Sequence, residues 1–423
     1  MSKSRIDVAN ADVRHRHLMI SSSIQRPLSS TIVQPYARSA TRAPTRRLLV
    51  ISYHFPPDGA VGGLRWAGLS KYLARVGWEV HIVTAAEGPA AVAPGVHRHH
   101  CRPRRARGWI MPAAATARAL MREHRFDAVI TSGPPHSTHF AGFLATPGKA
   151  VPHVIDMRDP WRIAGGDKPG SVQPKSTLGR RLFGQLERLA FLTTHNVVVN
   201  TREFADALLA DWPGLEVSLV TNGTDTESLP ERTDELFDGV SITYAGTLHA
   251  GRTFTTLLGA LESLQRERPV EAARVKLRIA GQIDATQLGQ FHEELRRRGI
   301  QNMVEMYGAL PRADALELLR RSHLALVLAQ SQPTQIPAKL YECVGLGVPT
   351  LVISESTSAA SREAQRIGGI VLEPDDSIGM RDLLDDLVDE LVPATMRPAE
   401  PISYESLARQ MDRLLRDAVV PAT

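Results

Sequence analysis

The sequence predicts two α/β domains in tandem, each a doubly wound parallel sheet covered by helices on both faces. Three observations predict it. Short β-branched apolar runs alternate with amphipathic stretches long enough to be helices. Those runs lack the polar alternation of a half-exposed strand, as expected where both faces of a parallel sheet are buried. The alternation breaks in a polar stretch, Asp225 to Asp238, and then starts again. A chain of 423 residues is also long enough for two domains of ordinary size.

The first series opens at Leu48 to Ser52, a buried strand, followed by a helix from Leu64 to Val76. Val80 to Thr84, Ala128 to Thr131, His153 to Asp156 and Asn196 to Val199 continue it. Val217 to Thr221 then meets the turn pair Asn222-Gly223. The second series begins with a strand at Ile242 to Ala245 and a helix from Thr253 to Gln265. Strands follow at Val275 to Ala280, Val304 to Tyr307, Leu324 to Leu328 and Thr350 to Ile353. The expected domains are 47–225 and 226–395. A last amphipathic stretch, Tyr404 to Asp417 within 396–423, suits a helix that crosses back onto the first domain. Such sheets bind ligands at the carboxyl ends of their strands, so two facing domains predict an interdomain cleft.

Composition narrows the rest. Two cysteines, Cys101 and Cys343, match no metal spacing and suit a reduced, cytosolic protein. No uncharged apolar run approaches the ~18–20 residues of a membrane span. Residues 1–48 hold nine Lys/Arg against two Asp/Glu, so the net charge of +5 sits in the N-terminal segment. Residues 1–46 have no periodicity and read as a disordered basic extension; their composition also suits an organelle transit peptide. A second basic cluster, Arg98, Arg102, Arg104, Arg105 and Arg107, precedes Trp109, Ile110 and Met111. Basic beside apolar residues suits an anionic membrane surface, with a solvated loop as the plainer alternative. No recognition motif accompanies the charge, so nucleic acid is not expected as a partner.

Several loops carry chemistry. Tyr53 to Trp66 leaves the first strand through Gly59, Gly62 and Gly63, where backbone N–H groups can approach an anion. The spacing is not that of a dinucleotide fingerprint. Thr131 to Ser137, which includes Gly133 and His136, and Asp156-Met157-Arg158-Asp159-Pro160-Trp161 end two further strands. In the second half, Tyr244-Ala245-Gly246-Thr247-Leu248-His249-Ala250-Gly251-Arg252 follows the first strand. Thr334 to Glu342 runs into Gly345-Leu346-Gly347-Val348-Pro349. A planar guanidinium such as Arg252 suits phosphate oxygens, and a carboxylate such as Glu342 suits a pair of vicinal hydroxyls.

In this order the loops resemble the retaining family-four glycosyltransferases of GT-B fold, with two Rossmann-like domains, and the resemblance covers about residues 47–418. Arg65 and Trp66 suit the subgroup that acts in bacterial surface polysaccharide assembly. The resemblance implies transfer of a sugar from a nucleotide-diphosphate sugar to a glycan or lipid-linked acceptor, with retention. That sugar nucleotide is a substrate, and neither cofactor nor metal is expected. It implies a donor site of Gly62, Gly63, Gly246, Thr247, Arg252, Thr334, Lys339, Glu342 and Gly308. Arg252 would grip the diphosphate, Glu342 the ribose, and the loop after Tyr307 the base. Arg252, Lys339 and His136 are the catalytic candidates; Arg65, Asp156, Arg158 and Asp159 form the acceptor side. An ion pair that only holds the fold is the alternative for Arg158 among its carboxylates.

Two departures accompany the resemblance. The family's first signature glutamate falls on Thr334. The place where the family often carries a histidine falls on Gly133, with His136 three residues on. A nucleotide-sugar epimerase of the same fold, or an inactive GT-B scaffold, stand as alternatives. The expected location is the cytoplasm, with peripheral attachment at the inner membrane face through Arg102, Arg104, Arg105 and Arg107.

Overall fold

The computed structural model describes residues 46–101, 108–146, 151–160, 185, 187–192, 194, 196–231, 235–248, 251–390 and 402–419. The basic extension, apart from Arg46, and the cluster Arg102–Arg107 lie outside the described residues.

Strands β1 (Arg46–Ser52), β2 (Trp78–Thr84), β3 (Val96–His100), β4 (Ala128–Gly133), β5 (His153–Met157), β6 (Asn196–Val199) and β7 (Glu216–Leu219) form the first sheet. Its order is β3-β2-β1-β4-β5-β6-β7, and every neighbouring pair is parallel. Strands β8 (Val240–Ala245), β9 (Val275–Ala280), β10 (Val304–Gly308), β11 (Leu324–Leu328), β12 (Thr350–Ile353) and β13 (Ile370–Leu372) form the second. Its order is β10-β9-β8-β11-β12-β13, again all parallel. The expected fold class therefore holds, with two doubly wound Rossmann-like sheets in one chain. The strand order reverses direction between β1 and β4, and between β8 and β11. The loops leaving those strands open the crevices where such sheets take ligands.

The central strands form because their side chains have only apolar surroundings. Leu48, Leu49, Val50 and Ile51 have no exposed surface, and β11 is buried along its whole length. Each such Leu, Val or Ile contributes roughly 1.5–3 kcal/mol of burial. Sheet edges differ. In β3, Val96-His97-Arg98-His99-His100, only Val96 is buried, and β13 is half-buried throughout. Neither edge strand is among the runs expected from the sequence.

Helix Tyr404–Val419 crosses back as expected. Tyr404, Leu407, Ala408, Met411 and Leu415 join the first sheet's core beside Trp66, Leu69 and Leu73. The Tyr404 ring lies so close to Gly68 that a β-carbon there would sit 2.1 Å from it. Asp412 accepts from Trp78 Nε1 at 2.7 Å. The crossing is fixed by two backbone bonds, Thr224 N to Ile402 O and Tyr404 N to Thr224 O, each 2.9 Å.

One expected boundary moves with consequence. The first helix is Val61–Arg75, not Leu64 to Val76, so Gly62 and Gly63 lie inside its first turn. Among the described residues, no helix is long and apolar enough to cross a membrane.

Candidate active site

A cleft of about 800 Å³ lies between the two halves. Phe55, Gly59 and Lys71 line it from the first half, and Gly246, Arg252 and Glu342 from the second. The linker residues Gly223 to Asp225 lie between them.

The second half supplies most of the polar groups. Gly246 follows β8 and packs against Gly281, which follows β9. Gly281 has φ +150°, and a β-carbon on it would sit 1.8 Å from Gly246 O. Gly281 N donates to Gly308 O at 2.7 Å, so the loops after β8, β9 and β10 stack edge to edge. Thr247 and Arg252 lie on the first of these loops and line the cleft. Among the described residues, Arg252 Nε is buried without a hydrogen-bond partner, a donor with capacity to spare. The Tyr244 hydroxyl beside it donates to Thr247 O at 3.0 Å. Burial raises the Tyr244 pKa against the opposing pull of Arg252. Gln330, after β11, donates to Thr253 O at 2.8 Å and ties the two switch-point loops together.

Lys339 and Glu342 sit on the helix Lys339–Gly345. Glu342 is 6% exposed, and each of its carboxylate oxygens meets a cation. Lys339 Nζ lies 2.7 Å from Oε2, and Arg312 Nη2 and Nε lie 2.8 and 3.0 Å from Oε1. Arg312, at the start of helix Arg312–Arg320, also lines the cleft. It ends the loop after Tyr307 that was expected to hold the base, but its pairing with Glu342 was not expected. Nothing local marks that pairing, because the partner lies 30 positions away.

Other expected site residues stand elsewhere. Gly62, Gly63, Gly308 and Thr334 lie outside the cleft lining. Gly62 is small because the Arg158 guanidinium lies on it; a β-carbon would come within 2.2 Å of Nη2. Gly63 presses on the Phe55 backbone, where a β-carbon would come within 2.9 Å. Gly308 adopts φ +65° beside Ala309, which does line the cleft. Thr334 offers its backbone carbonyl to Thr201 Oγ1 at 2.7 Å and so joins the halves.

The acceptor-side expectation needs correction for two residues. Arg65 and Asp156 have no exposed side-chain surface and pair at 3.1 Å. Arg65 also donates to Val220 O at 2.9 Å and Thr221 O at 2.7 Å. Asp156 accepts from Trp66 Nε1 at 3.0 Å and Ser132 Oγ at 2.8 Å. Both are too enclosed to meet an acceptor, and their pairing holds β4, β5 and the first helix to the linker. Among the described residues, the fully buried ion pair of this region is Arg65–Asp156. Arg158 donates from Nε to Gly133 O at 2.9 Å. Burial depresses its pKa while Asp159 and Asp156 oppose that shift. Asp159, partly exposed, accepts from the Gln335 amide and thereby also joins the halves.

His136 is half-buried beside Asp159 and Arg158, outside the cleft lining. Burial lowers its pKa, so the imidazole is neutral near pH 7. Gly133 has no room for a side chain. A β-carbon there would sit 2.9 Å from His139 Nε2 and 3.1 Å from His136 Nδ1. Trp109, expected beside a membrane-facing cluster, is buried against Tyr53 with ring centroids 5.2 Å apart.

The comparisons agree with this architecture. The sequence pattern described as Glycosyltransferase Family 4 matches residues 62–228. That described as Glycosyl transferases group 1 matches 231–397. The chain is a family-four-like glycosyltransferase. Among solved structures, this glycosyltransferase is similar to one from Rickettsia africae, at 12% identity and TM-score 0.65 over 89% of this chain and 99% of that one. It is also similar to Anabaena Alr3699/HepE in complex with UDP and glucose, at 16% and 0.64 over 88% and 100%. A third is WaaG, a glycosyltransferase involved in lipopolysaccharide biosynthesis, at 15% and 0.54 over 88% and 98%. At these identities the likeness shows the GT-B fold of the glycosyltransferase. No curated protein matches it in sequence.

Proposed function

We propose that the glycosyltransferase transfers a sugar from a nucleotide-diphosphate donor to a glycan or lipid-linked acceptor with retention, without a metal. The convergence of Arg252, Lys339, Arg312 and Glu342 on one cleft carries this reading. In it, Arg252 and Lys339 face the diphosphate, whose negative charge grows as the bond to the sugar breaks. Fixed cations that meet developing charge are usually the largest single catalytic contribution. The departing phosphate takes the acceptor hydroxyl proton as the new bond forms on the same face. Glu342, steadied by Arg312 and Lys339, accepts from the ribose hydroxyls through its remaining lone pairs. Gly246, Thr247 and the loop from Gly308 cradle the rest of the donor. The UDP-bound Anabaena protein of like fold supports a nucleotide donor.

The likeness to WaaG supports a place in bacterial surface polysaccharide synthesis. The reading puts the enzyme in the cytoplasm, drawn to the inner membrane face by Arg102, Arg104, Arg105 and Arg107. Isothermal titration of the full chain with nucleoside diphosphates tests the donor site. Binding of one equivalent, weakened by Arg252→Ala, is expected. No binding to any of them would leave the inactive scaffold as the reading. Proton NMR of donor alone reveals an epimerase if the sugar changes configuration.

A further inference from the structure

We propose a divalent transition-metal site on the edge of the first sheet, outside the lining of the donor cleft and formed by Glu79, His81 and His97. Parallel pairing sets His81 of β2 directly opposite His97 of β3, so both project from the same face. Alternation along each strand puts Glu79 and His99 on that face too. The ligand atoms of Glu79, His81 and His97 lie within 4.8 Å of one another. Glu79 Oε1 is 3.0 Å from His81 Nε2 and 3.6 Å from His97 Nε2. A tetrahedral zinc with bonds of about 2.1 Å needs ligand separations of about 3.4 Å. The three atoms therefore need only small side-chain adjustments, and His97, with half its side chain exposed, is free to make them.

The surroundings are those of a ligand set. Arg47 Nε holds the other carboxylate oxygen, Oε2, at 2.9 Å and leaves Oε1 facing the two imidazoles. His81 Nδ1 lies 3.0 Å from His99 Nε2, with the two rings within 9° of parallel. Without a metal, His99 can donate to His81, and His81 Nε2 can donate its proton to Glu79. With a metal on Nε2, that proton leaves and Nδ1–H donates to His99 instead. A metal-bound histidine regularly fixes its ring through such an outer bond. Two imidazoles and one carboxylate favour zinc, cobalt, nickel or copper over magnesium or calcium. The exposed side of His97 leaves water to complete the coordination. None of these residues lines the donor cleft.

The test uses the full, untagged chain, stripped with chelator and dialysed. Titration with zinc is expected to give one equivalent bound, and cobalt to give the visible bands of a tetrahedral nitrogen–oxygen site. Magnesium and calcium are expected to give no heat. His97→Ala, at a half-exposed position, is expected to keep the fold by circular dichroism and to lose zinc binding. His99→Ala is expected to weaken binding by roughly 10–100-fold, as loss of an outer partner does. Absence of stoichiometric zinc, or zinc binding unchanged in folded His97→Ala, would overturn the site.

Discussion

Lys339 Nζ lies 2.7 Å from the Glu342 carboxylate, one helical turn away, so two residues expected to touch different parts of a donor touch each other. Their contributions to binding are therefore coupled. Single changes at either leave the other with an altered partner. A double-mutant cycle of Lys339→Ala and Glu342→Gln, read as donor affinity, is expected to show a coupling of about 0.5–3 kcal/mol. Strict additivity would mean that the pair separates when donor binds.

Arg252 and Glu342 should divide between kcat and KM. Arg252 would meet charge that grows in the transition state, so Arg252→Ala is expected to lower kcat as well as donor affinity. Glu342 would hold the ribose alike in ground and transition states. Glu342→Gln is expected mainly to raise donor KM, by about 1–3 kcal/mol in binding. Steady-state kinetics with donor varied at saturating acceptor read both. A folded Arg252→Ala with wild-type kcat contradicts the assignment.

The Arg65–Asp156 pair should be a determinant of stability. Removing one partner of a fully buried ion pair costs about 3–5 kcal/mol because the other charge is stranded. Asp156→Asn is therefore expected to shift urea unfolding by that order. Wild-type stability with a changed acceptor KM would return Asp156 to the acceptor side.

Acid should loosen the first half. The Thr131 hydroxyl bonds His139 Nδ1 at 3.0 Å and His153 Nε2 at 2.9 Å, and both rings are buried. Burial pushes His153 down to about 4 and His139 well below its usual value. The neutral forms are favoured in the fold, whereas the unfolded chain takes up protons near pH 6.5. Stability from these groups is complete above that pH and falls as pH drops from 6.5 towards 4. Thermal unfolding between pH 7.5 and 4.5 should show the loss, and His153→Asn should flatten it. An equal slope in the variant would remove His153 as the cause.

Turnover is expected to survive chelation, because cationic side chains and backbone groups are proposed to balance the leaving diphosphate. Activity assays with and without EDTA decide it. Loss in EDTA that manganese or magnesium restores would contradict the reading. Zinc at the sheet edge would be stripped by the same treatment without stopping transfer.

Much of the fold was legible because central parallel strands are buried on both faces. Leu48 to Ile51 and Leu324 to Leu328 admit no other reading. The edge strands β3 and β13 carry no such pattern. In β3 only Val96 is buried, and its histidines look like a loop until β2 is laid beside them. The cleft's Arg252, Lys339 and Glu342 were legible from order and placement. The pairing of Arg312 with Glu342 was not, since it depends on how two helices pack. Arg65 and Asp156 misled for a related reason. Charge next to a binding loop reads as contact with a ligand, and only the three-dimensional structure encloses it.

The returning helix sets an order on how the molecule is made. Trp66, Leu69 and Leu73 belong to the first sheet's covering layer, yet Tyr404, Leu407, Met411 and Leu415 complete that layer. During translation, more than three hundred residues separate the first wall from its cover. The whole second half is made before that cover. Domains generally fold in the order they emerge. Here the core of the first half to emerge is completed by the last helix to emerge.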